Sequence, residues 1–293
     1  MRTEKEMYHL ILRTAEEDDR IRAVYMNGSR TNPAAPSDIF QDYDIVYVVK
    51  ETDSFIQNKK WLNVFGDLLM LQEPDRNDLL TGLQRNVDRS YGYLMLFKDG
   101  NRIDLQLQTL EVMREEYAKD KLTVPLLDKD NCLPSIPSPS DRDYHVKIPD
   151  EAHFNSCANN FWWCLQNVAK GIWRDELPYA KNMFENVIRP CLDGMVSWWI
   201  GITNGFNIST GKMGKYFKNY LPAAYWNRYI ATYSDGNYER FWTSIFEACG
   251  LFRLLAQDVA DHFEYTYPSA DDRHMTAYLK QVRNLPEDSQ QIF

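Results

Sequence analysis

The chain has 293 residues, 44% of them hydrophobic and 26% charged, which excludes a disordered protein and leaves room for two ordinary domains with a substantial core. A formal net charge of −9 argues against a nucleic-acid partner, whose phosphates call for an excess of Lys and Arg, and suits a cationic ligand better. Five scattered cysteines without a CxxC pair exclude a disulfide framework or a zinc cluster; Met195 to Ile202, the most apolar stretch, is far short of a membrane span. The start Met-Arg-Thr-Glu-Lys-Glu lacks the apolar core of a signal peptide, so the expected location is cytoplasmic, away from any membrane.

Thr3-Glu4-Lys5-Glu6 reads as a capping box, and Met7, Leu10 and Ile11 continue it at helical spacing. Ile21 to Met26 is a short strand that runs into the turn Asn27-Gly28-Ser29, and residues 32–38 form a loop by composition. Asp42 to Lys50 is the next strand. Tyr43, Ile45, Tyr47 and Val49 share one face and Val46 and Val48 the other, so the strand is central and covered on both sides. Asp53 to Phe65 reads as one helix with Trp61, Leu62 and Phe65 in its last turn. Ser90 to Phe97, the pair Asp99-Gly100 and Arg102 to Gln108 make a hairpin. In its second strand Ile103, Leu105 and Leu107 face a core, while Arg102, Asp104, Gln106 and Gln108 face away.

Strand periodicity stops in the Pro- and Ser-rich segment 131–149, which sets the expected domains at 1–148 and 149–293. Beyond it Phe154, Cys157, Phe161, Leu165, Val168 and Ile172 mark one buried helix face. Further helices are predicted over 176–188, 191–203, 211–221, 223–233, 237–262 and 270–284, with Gly and Pro as stops. The expected class is α+β: a mixed sheet with helices, then an all-α helical bundle.

Gly28-Ser29, followed twelve residues later by Asp42-Tyr43-Asp44, has the makings of a phosphoryl-transfer site. A glycine turn lets backbone N–H groups approach a polyphosphate, and carboxylates at i and i+2 of a strand share one face and can hold Mg²⁺ together. Asp104, on the polar face of a neighbouring strand, supplies a third acid and is the candidate general base. This points to nucleotidyl transfer with Asp42, Asp44 and Asp104 as metal ligands. The alternative for the three acids is a solvated strand start and a hairpin surface. Ser29 is not a hydrolase nucleophile, since the G-x-S-x-G elbow is absent; Gly28 and Ser29 are assigned to the phosphates, with Arg30 adding charge or standing as a surface residue. Lys212 and Lys215, in the basic cluster Gly211 to Lys218, read either as a helix start reaching a triphosphate or as a solvated face. The same two readings hold for Lys170 with Arg174. Trp162, Trp163 and Trp173 with Asp175 and Glu176 are either an acceptor pocket for a polycationic sugar or, for the rings, ordinary core.

The stretches Asn27-Gly28-Ser29-Arg30-Thr31-Asn32, Phe40-Gln41-Asp42-Tyr43-Asp44-Ile45 and Asp99 to Leu105 resemble the bacterial aminoglycoside 6-adenylyltransferases, also called streptomycin 6-nucleotidyltransferases. The likeness extends to Leu126 to Asp130, Lys170-Gly171 with Arg174 and Glu176, Ile188-Arg189-Pro190 and the segment Gly211 to Leu221. It implies a polymerase-β-like nucleotidyltransferase domain followed by a helical domain that contributes acceptor and triphosphate contacts, with the active site in the cleft between them. It also implies Mg²⁺-dependent transfer of AMP, two ions being expected, from the co-substrate ATP to position six of the streptidine ring of streptomycin. The product is an inactivated antibiotic, and the enzyme a monomer or small homo-oligomer. Metal-ligand roles carry onto Asp42, Asp44 and Asp104; acceptor contacts match no sharp family motif, and their assignment to Trp173, Asp175 and Glu176 rests on the residues themselves. A related transferase with another acceptor, or a non-catalytic relative, are the rival readings.

Overall fold

Thr3 opens the first helix by a reciprocal cap. Its hydroxyl accepts the Glu6 N–H at 3.3 Å, and the Glu6 carboxylate accepts the Thr3 N–H at 2.7 Å. The computed structural model describes residues 1–293 and divides them into two compact units, Met1–Asp143 and Tyr144–Phe293. In the first unit the elements in chain order are α1 (Glu4–Glu17), β1 (Ile21–Asn27), β2 (Tyr43–Val49), α2 (Asp53–Gln57), β3 (Leu68–Gln72), α3 (Pro74–Leu80), β4 (Ser90–Phe97), β5 (Arg102–Thr109), α4 (Leu110–Glu116) and β6 (Thr123–Asp128).

The six strands form one mixed sheet in the order β3-β4-β5-β2-β1-β6, in which β2 and β5 are parallel and the other pairs antiparallel. Alternation along β2 decides what each face buries. Tyr43, Ile45, Tyr47 and Val49 join Ile103, Leu105 and Leu107 of β5 and Met7 and Ile11 of α1 in the larger core. Val46 and Val48 face the other way, into a smaller cluster with Tyr25, Met113 and Tyr117. Two of the buried tyrosines keep their hydroxyls satisfied: Tyr47 donates to the Ile11 carbonyl at 2.7 Å and Tyr93 to the Phe55 carbonyl at 3.1 Å.

The predicted helix over 53–65 is two pieces. Asn58 leaves helical geometry, and its side chain accepts the Lys60 N–H to start a 3₁₀ segment, Lys59–Phe65. The break has a packing reason. In an unbroken helix Phe55 and Trp61 would stand about 120° apart around the axis and about 9 Å apart along it, whereas here their rings meet edge to face at 4.9 Å. The edge strands β3 and β6 escaped the periodicity reading because β3 leaves Leu69 and Met70 exposed and β6 contains Pro125.

The second unit is all helical: α5 (Glu151–Trp173), α6 (Leu177–Met183), α7 (Arg189–Thr203), α8 (Phe217–Tyr220), α9 (Ala223–Ala231), α10 (Tyr238–Phe263) and α11 (Ser269–Arg283). The face of α5 read from the sequence is buried; Phe161 stacks on Phe252 of α10 at 3.8 Å with both rings fully covered. Pro190 does not stop a helix. A π-turn over Phe184–Ile188 joins α6 to α7, and the wider turn accommodates a residue that has no N–H to donate and a ring that crowds the preceding turn. The predicted helix over 211–221 is also absent as such: Lys212–Gly214 is a 3₁₀ turn with Met213 at φ 57°, and only Phe217–Tyr220 is α-helical. Gly211 and Gly214, both at positive φ, bend the chain there.

Truncating Phe161 removes a ring packed against Phe252 and Trp162 and leaves a cavity. Phe161→Ala is expected to cost roughly 3–5 kcal/mol, read as a lower urea midpoint by tryptophan fluorescence; a loss under 1 kcal/mol would mean that this stack is not central to the helical core.

Candidate active site

Parallel pairing of β2 with β5 sets Asp44 directly opposite Asp104. Asp42 lies two residues before Asp44 and so comes to the same side of the sheet. Single carboxylate oxygens of Asp42, Asp44 and Asp104 all lie within 4.8 Å of one another. Three hard oxygen donors at that spacing are a donor set for Mg²⁺ or a similar hard cation.

The turn after β1 is held against this cluster. Asn27 pairs with Asp44 across β1 and β2, so Gly28 arrives beside the Asp44 side chain. Gly28 sits at φ 77°, and a Cβ there would stand 2.0 Å from Asp44 Oδ2. Both the backbone angle and the space therefore require glycine. The Gly28 carbonyl accepts from the Thr31 hydroxyl at 2.8 Å and the Thr31 N–H at 3.1 Å, which closes the turn. The Ser29 hydroxyl makes no hydrogen bond within the protein. Arg30 is nearly buried, with 9% of its side chain exposed. Its Nε donates to the Asp42 carbonyl at 2.9 Å and its Nη2 to the Gln41 carbonyl at 2.7 Å, with the guanidinium 3.8 Å over the Tyr43 ring. Rather than a surface charge, Arg30 is a clasp that fixes the backbone from which Asp42 projects.

Burial first, then the neighbouring Asp42 and Asp104 carboxylates, push the Asp44 carboxyl up to about 7; Arg102 works in the opposite direction and Asp120 adds a smaller upward push. Asp104 receives both prongs of Arg102, Nε to Oδ1 at 2.7 Å and Nη2 to Oδ2 at 2.5 Å, and the same Nε lies 3.8 Å from Asp42 Oδ2. Sequence reading put Arg102 on the polar face without giving it a role; the i, i+2 spacing to Asp104 was the available signal. Asp120 also lines a cavity of about 540 Å³ with Ala118, Lys121, Ile136, Ser138 and Arg142.

The other candidate residues belong to the second unit. Lys170 and Trp173, near the end of α5, line a cavity of about 280 Å³ with Arg174, Tyr278 and the segment 289–292. Lys170 Nζ donates to Asn167 at 3.1 Å and Trp173 Nε1 to the Pro286 carbonyl at 3.3 Å. Asp175, at φ 57°, accepts from the Tyr238 hydroxyl at 2.8 Å, and Glu176 is exposed just before α6. Lys212 and Lys215 are exposed on the loop after α7, so the helix start expected there is replaced by a turn. Trp162 is core, stacked edge-on to Phe161 and Phe252, whereas Trp163 is 65% exposed.

A carboxyl whose folded pKa lies above its ordinary 3.8 stabilises the fold while protonated, and that contribution is lost as pH rises through about 7. In chelated buffer Asp44→Asn should therefore gain stability over wild type as pH goes from 5 to 8, by on the order of 2–4 kcal/mol in all. Urea midpoints of both proteins at the two pH values check this; a pH-independent difference between them would sink it.

Positions 1–282 match the streptomycin adenylyltransferase family. An aminoglycoside 6-adenylyltransferase of Campylobacter jejuni is 41% identical over 283 residues, covering 97% of each chain. Another from Bacillus subtilis (strain 168) is 37% identical, covering 93% of this chain and 95% of that one. A third from Staphylococcus aureus is 36% identical, covering 97% of this chain and 98% of its own. The match runs through the acidic sheet and the helices alike, and the chain belongs to the streptomycin adenylyltransferase family of enzymes.

Proposed function

We propose that this enzyme transfers AMP from ATP to the hydroxyl at position six of the streptidine ring of streptomycin, with Mg²⁺ held by Asp42, Asp44 and Asp104. The observation that carries the reading is the convergence of these three carboxylates beside a glycine turn with no room for a side chain. The acceptor and its position follow the names of the matched family and relatives. Residues 1–148 hold the transfer chemistry.

The donor set fits two Mg²⁺ ions in kind: hard oxygen ligands, one of them largely desolvated, with the Gly28 backbone closing one side. Bound Mg²⁺ neutralises phosphate charge and lowers the pKa of the acceptor hydroxyl. The protein's own groups do the rest. Gly28 and Ser29 meet the phosphates with backbone N–H groups and the unpaired Ser29 hydroxyl. Arg30 holds Asp42 in place from behind. Asp44, whose carboxyl burial and the neighbouring acids hold toward the protonated form, would serve as a ligand once ionised. The acceptor oxygen attacks the α-phosphorus in line, the bond from that phosphorus to the bridging oxygen breaks, and its electron pair leaves on pyrophosphate. Asp104 takes the acceptor proton, which requires its oxygens to be released by Arg102. The cavity beside Asp120 offers room for the nucleoside.

Incubation with ATP and Mg²⁺ should make streptomycin about 329 Da heavier by mass spectrometry, the mass of one added AMP residue, while spectinomycin and kanamycin stay unchanged. Asp42→Asn and Asp104→Asn should each lower transfer roughly a hundredfold or more with the fold retained by circular dichroism. Wild-type turnover in Asp104→Asn would remove that residue from the mechanism, and an adduct on kanamycin alone would replace the acceptor.

A further inference from the structure

We propose that Arg102 is the resident counter-ion of the acidic cluster in the metal-free enzyme, and that an entering divalent cation must displace it. The inference rests on the metal-site reading of Asp42, Asp44 and Asp104 given above.

Three carboxylates within 4.8 Å of one another repel strongly where water is scarce. Arg102 is the one Lys or Arg that touches any of the three side chains. Its planar fork takes both oxygens of Asp104, at 2.7 and 2.5 Å, and reaches toward Asp42 at 3.8 Å. Arg30, the other nearby guanidinium, is committed to backbone carbonyls and to the Tyr43 ring. So the compensation available before a metal arrives is Arg102.

That compensation conflicts with metal binding. A hard divalent ion needs oxygen lone pairs of Asp104, and the fork already takes one on each oxygen and sets a positive charge beside them. Doubly charged and compact, the ion wins the exchange, but the ion pair must break first and the net affinity is reduced. The Arg102 side chain is 47% exposed and has no ion-pair partner outside the cluster, so once a metal takes Asp42 and Asp104 nothing else holds it. Placement on the same strand face as Asp104 returns it when the metal leaves, which keeps the cluster from flying apart between turnovers.

Mn²⁺ serves as the probe, its free concentration followed by electron paramagnetic resonance on the full-length protein without nucleotide. Arg102→Gln should bind Mn²⁺ roughly three- to tenfold more tightly than wild type. Arg102→Lys, which keeps the charge and loses the fork, should fall between them. In the absence of metal Arg102→Gln should melt lower than wild type, and Mn²⁺ should raise its melting temperature by more. Equal or weaker Mn²⁺ binding by Arg102→Gln overturns the inference. Asp44→Asn separates the two levels. Where Asp44→Asn loses saturable binding and Arg102→Gln gains nothing, the metal site stands and the Arg102 role falls. Where wild type, Asp44→Asn and Arg102→Gln all bind alike, or none binds, the metal-site reading itself falls and the Arg102 role with it.

Discussion

Holding like charges together is the constraint around which the first unit is organised. Asp44 and Asp104 face each other because β2 and β5 run parallel in that register, and a slip of one residue would turn each acid into the aromatic core. What keeps the register is the opposite face. Tyr43, Ile45, Tyr47, Ile103, Leu105 and Leu107 are essentially fully buried there, each worth roughly 1.5–3 kcal/mol of transfer free energy. The larger core thus carries the repulsion of a cluster that stabilises nothing by itself. Burial first and then that repulsion raise the Asp44 pKa, and the Arg102 fork answers the charge at Asp104.

The second constraint is closeness. The turn after β1 approaches Asp44 so nearly that a methyl group at Gly28 would overlap its carboxylate. Thr31 closes the turn through the Gly28 carbonyl, and Arg30 ties the turn to the backbone at Gln41 and Asp42. These contacts join two segments that are separated by the loop over residues 32–42. In this arrangement the Arg30 guanidinium is spent on the protein's own backbone, whereas the Ser29 hydroxyl makes no hydrogen bond within the protein.

Most of the aromatic wealth of the helical unit goes into its own core. Phe161, Trp162 and Phe252 form a stacked and edge-on cluster, and Arg253 with Asp272, Tyr267 and Thr276 closes a polar network beside it. Arg189, nearly buried, is paired with Glu185 and Thr232 around the π-turn. Polar groups placed this deep fix one arrangement of helices because each is costly to leave unpaired.

Much of this was readable along the chain. The capping box at Thr3, the two faces of β2, the Asp99-Gly100 hairpin and the buried stripe of α5 follow from periods of two and 3.6 residues, which are local properties. Asp44 and Asp104 were legible for the same reason, since each lies on a strand with clear alternation, and the Gly28-Ser29 turn and Asp42 stand out by composition beside those strands. Edge strands β3 and β6 were not, because an edge buries too little to leave a pattern. Nor could the sequence show that Asn58 breaks a helix to bring Phe55 to Trp61, that a π-turn admits Pro190, or that the lysines at 212 and 215 ride on a turn. By itself the sequence determined which residue types could carry the chemistry and which face of each strand they occupy. Only the tertiary structure decided that Asp42, Asp44 and Asp104 meet, that Arg102 rather than Arg30 is the cation they share, and that Gly28 has no room for a side chain. Apart from the i, i+2 pair of Arg102 with Asp104, those are contacts between segments distant in the chain, set by packing and charge that no local period encodes.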